Sequence, residues 1–179
     1  MLQAEFISAV QGRAARVTLG ASALRKQGPG VADAARPFLA ALPLDSFATS
    51  NPTTFARQLD KTTTDLQATF PLGSGSWGLA RKLLNIFLRE ALYTRYLADR
   101  YQLLQSEMYF ELPLDSITAN RLRDVPGYDL RPWRGVKHLT AERSQEFQAV
   151  AASHALNIGI ARVHLDAIWW GGSRNDNAV

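Results

Sequence analysis

Apolar residues recur along this chain at intervals of three and four, and no convincing run alternates apolar with polar residues as a half-buried strand would. That period admits helices packed on helices and little else, so the expected fold class is all-α. An opening helix is expected over about 2–26, stopped by Gly28, Pro29 and Gly30. "VADAARPFLAAL" reads as a second helix, broken or bent at Pro37, and a third is expected before residue 70, with Thr53 or Thr54 as its cap. A long helix is expected from about Trp77 to Gln105, with Leu79, Leu83, Ile86 or Phe87, and Glu90 or Ala91 along one face. "ELPLDSITANRLRD" reads as a short extended stretch leading into a helix near Asp115. "TAERSQEFQAVAASHAL" reads as an amphipathic helix with Thr140 as cap, and "RVHLDAIWW" as the start of a last helix before a frayed tail.

A chain of 179 residues without repeats or a clear linker reads as one domain. The absence of cysteine excludes disulfides and thiolate chemistry, and the three histidines show no metal-binding spacing, so neither metal nor cofactor is expected. No apolar run reaches membrane-spanning length and the N-terminus is too polar for a signal segment, so a cytoplasmic monomer with no membrane partner is expected. The net charge of +4 suits an anionic partner, and the basic residues are overwhelmingly arginine, the better fork for phosphate.

Within "GSGSWGLARKLLNIFLREALY", Lys82 stands near a helix start on a strongly apolar segment. Its ordinary role there is to reach solvent along its own stem. Its chemical role would be a nucleophilic neutral amine, favoured by burial and by the positive end of the helix dipole. Asp115 reads first as a helix cap, and second as a carboxylate that accepts a proton or stabilises a developing cation. Asp166 and Trp170, four residues apart, put an acid and a large ring on one helical face, either as core and cap or as a grip on a planar heterocycle. The "GSGS" turn reads either as a tight turn or as backbone amides near a phosphate.

The order of these pieces resembles the helix-hairpin-helix DNA glycosylase superfamily: a glycine hairpin into "ARKLLNIFL", then "ELPLDSITANRL", then a terminal "VHLDAIWW". It is most similar to the archaeal GO (8-oxoguanine) DNA glycosylases, whose long lysine-to-aspartate separation Lys82 and Asp115 match. A bacterial phage-defence member of the superfamily also fits. The likeness covers residues 73–125 and 160–171, leaving 1–70 as divergent N-terminal helices and 71–179 as hairpin and catalytic helices. It departs from the family at Ile86, which stands with Phe87 where an aromatic is usual, and in lacking two prolines before "HLD".

The resemblance implies an N-glycosylase that flips a modified base out of double-stranded DNA, with or without AP-lyase activity. Lys82 would attack C1′, and Asp115 would take its proton and steady the sugar cation. Asp166, Trp170, Ile86 and Phe87 would hold the base, and Gly73, Gly75 and Gly78 would meet a DNA phosphate with Arg81 and Arg89 assisting. Gln3 or Gln11 would be a base-reading amide. The candidate bases are 8-oxoguanine and glucosylated 5-hydroxymethylcytosine. The rivals are a non-catalytic helical DNA-binding protein and, more remotely, a metal-dependent nuclease.

Overall fold

The structure is a computed structural model that describes residues 2–20, 22–25 and 27–172. Among the described residues every regular element is helical: α1 (Leu2–Thr18), α2 (Val31–Ala40), α3 (Pro52–Ala68), α4 (Trp77–Tyr93), α5 (Arg95–Arg100), α6 (Ser116–Arg123), α7 (Ala141–Asn157) and α8 (Leu165–Gly172). Short 3-10 turns at Leu44–Phe47, Leu103–Tyr109, Val136–His138 and Arg162–His164 connect them. No described helix is long and apolar enough to cross a membrane.

The caps follow local chemistry. Ser76, Asp115 and Thr140 each accept a backbone N–H from the first turn of α4, α6 and α7, satisfying donors that a helix start leaves orphaned. At α6 the arrangement is reciprocal, since Thr118 Oγ1 receives the N–H of Asp115 while Asp115 Oδ1 receives that of Thr118.

Several expected boundaries move. The first helix ends at Thr18 rather than near residue 26, because the chain turns at Gly20, whose carbonyl accepts the N–H of Ala23. The second runs unbroken through Pro37. The cap of α3 is Asn51, not Thr53 or Thr54, with Pro52 at the first helical position, where its missing N–H costs nothing. The expected Trp77–Gln105 helix is two, since Thr94 leaves helical geometry at φ −88° and ψ 102°. Residues 173–179 of the expected tail lie outside the described residues.

α4 is the axis of the molecule. Leu79, Leu83, Phe87 and Ala91 face a core shared with α1, α2 and α3, while Trp77 packs on a second core built from α6, α7 and α8. Close approach at its start requires Gly78: a Cβ there would sit 2.2 Å from the Val136 carbonyl oxygen.

Between the two cores runs an extended segment, residues 110–115, and buried side chains hold it. Arg81 of α4 forks Glu111 with two hydrogen bonds of 2.8 and 2.9 Å, and Asn85 adds a third at 2.9 Å. Arg162 donates to the carbonyls of Tyr109 and Phe110, and Gln148 pairs with both backbone groups of Leu112. Burial alone would raise the Glu111 pKa, but the charge and hydrogen bonds of Arg81 outweigh it and hold the carboxyl below its usual range. Removing one partner strands a charge in a dry interior, whereas replacing both removes the need for compensation. Arg81→Met should therefore lower unfolding stability by about 3–5 kcal/mol, with Arg81→Met/Glu111→Leu recovering most of the loss in urea melts.

Candidate active site

A cavity of about 400 Å³ opens between the end of α1, the flank of α4, the 110–115 segment and the start of α8. Helical spacing aims one stripe of α4 into it: Lys82, Ile86, Arg89, Glu90 and Tyr93, at i, i+4, i+7, i+8 and i+11. Pro113 and Asp115 line it opposite, Asp166 and Ala167 come from α8, and Val17, Thr18, Gly20, Ser22 and Ala23 close the remaining side.

Lys82 is 8% exposed. Burial lowers its pKa, and the nearby charge of Asp115 opposes without cancelling. The helix dipole, expected to contribute, acts mainly over the first turn, and Lys82 is the sixth residue of α4. Nor do flanking arginines lower it, since the neighbouring Arg81 is engaged elsewhere by Glu111, Asp60 and Thr63. Asp115 divides its carboxylate: Oδ1 receives the N–H groups of Ile117 and Thr118 at 2.9 and 3.0 Å, while Oδ2 has no hydrogen bond among the described residues. A buried amine biased toward its neutral form and a carboxylate with one free oxygen thus line one cavity.

At the other end Arg89 bridges two acids, Asp166 and Glu90, the latter at 2.8 Å. Asp166 is therefore already paired rather than a free acceptor. Beside this bridge Tyr93 O–H lies 2.8 Å from His164 Nδ1, and His164 Nε2 lies 3.1 Å from Glu107.

Other expected site residues fall outside the cavity. Phe87 is fully buried in the first core, on the α4 face away from the Lys82 stripe. Arg81 is only 5% exposed and committed to acids within the protein, so it offers nothing to a phosphate. Gly78 is a packing glycine against Val136 and Leu139. Arg89 belongs to the cavity rather than to the hairpin. Gln11 is buried and donates to the carbonyls of Leu39 and Leu42, a structural task, and Gln3 lines a different depression. The side chain of Trp170 lies outside the described residues. Gly73 and Gly75 do turn the chain between α3 and α4, both at positive φ.

Glu90, Tyr93, Thr18 and Ser22 had no part in the sequence-based site. The first two carried a legible signal, the repeat of three and four counted from Lys82. The last two, before and after a turn, carried none.

A second groove starts where the hairpin ends. Ser76 and Trp77 border it with Arg131, Arg134, Lys137, His138 and Arg143, between the starts of α4 and α7. Arg131 and Arg143 are held by Glu146, whereas Arg134 and Lys137 are exposed and have no ion pair among the described residues. No group of three or more acids and histidines suited to a metal occurs among the described residues. Compared with models of known protein families, with curated proteins and with solved structures, the chain matches none.

A lysine whose folded pKa is depressed costs stability while it is charged. The unfolded chain binds the extra proton, so stability rises with pH between the folded value and the ordinary value of about 10.4. Lys82→Met should thus be more stable than wild type at neutral pH, by about 1 kcal/mol, with the gap narrowing toward pH 10 in thermal melts.

Proposed function

We propose that the protein is a DNA N-glycosylase that excises a modified base everted from duplex DNA. The observation that carries this reading is the buried Lys82, its pKa lowered by desolvation, lining one nucleotide-sized cavity with Asp115, whose carboxylate has one oxygen without a hydrogen bond among the described residues. Lys82 loses its proton to Asp115 and its Nζ lone pair forms a bond to C1′ of the deoxyribose. The N-glycosidic bond breaks with its electron pair going to the base, which takes a proton from solvent. Asp115 passes that proton on to solvent and, as a carboxylate again, steadies the positive charge that builds on the sugar ring. Ring opening of the resulting aminal gives a Schiff base, from which β-elimination nicks the strand.

The helix–turn–helix of α3 and α4 with Gly73 and Gly75 at its tip fits the hairpin such an enzyme lays on duplex DNA, and the basic groove continues from it. The candidate substrates are duplexes bearing 8-oxoguanine or glucosylated 5-hydroxymethylcytosine.

The test is incubation of such duplexes with the protein in EDTA, followed by hot alkali and, separately, by borohydride. Strand scission at the modified base and a trapped covalent adduct are expected from wild type, with rates for Lys82→Gln and Asp115→Asn falling on the order of 10³-fold. Asn caps helices as well as Asp, so the second variant should keep its fold. Because the amine must be neutral, the rate should rise with pH to a plateau below that of an ordinary lysine. Scission by neither wild type nor variants, with duplex binding intact, would leave a DNA-binding module.

Groove binding makes a separate expectation. The slope of log affinity against log salt flattens by about 0.9 for every phosphate the protein no longer neutralises. Arg134→Ala/Lys137→Ala should therefore flatten that slope by about 2 on an unmodified duplex, measured by fluorescence anisotropy.

A further inference from the structure

We infer that Tyr93 is a specificity-determining residue of the cavity, presenting a hydrogen-bond acceptor that selects ligands carrying an N–H or O–H donor. The inference deepens the glycosylase reading and rests on it for the nature of the ligand.

The polarity follows from the partners in turn. A carboxylate only accepts, so Glu107 Oε1, 3.1 Å from His164 Nε2, requires the proton on Nε2. When the ring carries that one proton, Nδ1 is a bare acceptor, and the group 2.8 Å from it is the Tyr93 hydroxyl. The phenol proton is therefore spent on His164, and what Tyr93 has left to offer is lone pairs. The two rings lie nearly parallel, 13° apart with centroids at 5.6 Å, which fixes the phenol in this orientation.

The setting strengthens the choice. Tyr93 lines the cavity beside Arg89 and Glu90, and its hydroxyl feels the charges of Arg89, Glu107 and Glu90. Arg89 is already shared by Asp166 and Glu90, so the positive charge at this end is largely answered within the protein. Arg89 keeps further N–H groups beside these acids, so the part of this end that offers lone pairs alone is the Tyr93 oxygen. A ring N–H, an exocyclic amine or a hydroxyl satisfies the Tyr93 oxygen, and a ligand acceptor placed against it leaves it unmatched. The group sits away from Lys82 and Asp115, three turns along α4 from the lysine, so it acts on fit and not on bond breaking.

His164 and Glu107 line a separate surface groove with Met108, Leu156 and Gly159, and so form the wall between that groove and the cavity. They are positioning residues, set to hold the phenol and not to touch the ligand.

The experiment has two arms. In the free protein, ¹⁵N spectra of the His164 ring are expected to show a protonated Nε2 and a bare Nδ1, and Glu107→Leu is expected to lose that single tautomer. The opposite tautomer in wild type would overturn the inference. On whichever of the 8-oxoguanine and glucosyl-hydroxymethylcytosine duplexes wild type cuts, Tyr93→Phe should raise KM about five- to tenfold with kcat within about twofold. Glu107→Leu should raise KM about threefold in the same pattern. An unchanged KM in Tyr93→Phe, or a fall in kcat with KM constant, would also overturn it. Should wild type cut neither duplex, the glycosylase reading falls, while the ring spectra still decide the polarity of Tyr93.

Discussion

The buried pair of Arg81 and Glu111 is the contact on which the rest of the arrangement hangs. It ties the central helix to the extended segment that separates two cores, and it does so with a planar fork whose geometry leaves little play. Four residues along that segment stands Asp115, and one residue along α4 stands Lys82. Successive residues on a helix diverge by about 100°, so α4 sends its guanidinium into the protein and its amine into the cleft. The clamp fixes the strand, and the strand carries the acid to the amine. A buried ion pair adds little net stability. Its use here is positional.

The electrostatics of the cavity divide along its length. Around Lys82 the dominant influence is the removal of water, which disfavours the ammonium, with Asp115 as a proton's destination close by. At Arg89 the reverse holds, since two carboxylates secure the charged form. One end of the cavity thus disfavours the charged form of its amine, and the other holds its cation in ion pairs. Both are served by a single face of one helix.

How much of this was readable from the chain alone varies with the physics involved. The all-helical class, the Ser76–Lys82 helix start and the caps at Asp115 and Thr140 follow from short-range rules of period and hydrogen bonding, and they were legible. The break at Thr94 and the early end of α1 were not, because tertiary packing overrides weak local preferences there. The fate of Arg81 was illegible for a different reason. Its acid partner lies thirty residues away, and nothing in "ARKLL" distinguishes a solvated arginine from a buried one. Phe87 was expected at the base and lies in the core, because two adjacent stripes of α4 share the same period. Only the position of the neighbouring helices shows which stripe faces a void.

Asp115 has one oxygen engaged in starting α6 and one left over. Helix initiation at this place is served equally by an amide, a hydroxyl or a carboxylate, whereas proton traffic is served by the carboxylate alone. Selection for a well-formed α6 would consequently not protect the chemistry. On the glycosylase reading proposed above, exchange of one oxygen for an NH₂ would leave a molecule that folds and melts like its parent and accepts the same duplex, yet is inert. On that reading, descendants that keep the scaffold while turning into silent DNA readers are a short mutational step away, and among them residue 115, not the core, is the place to look.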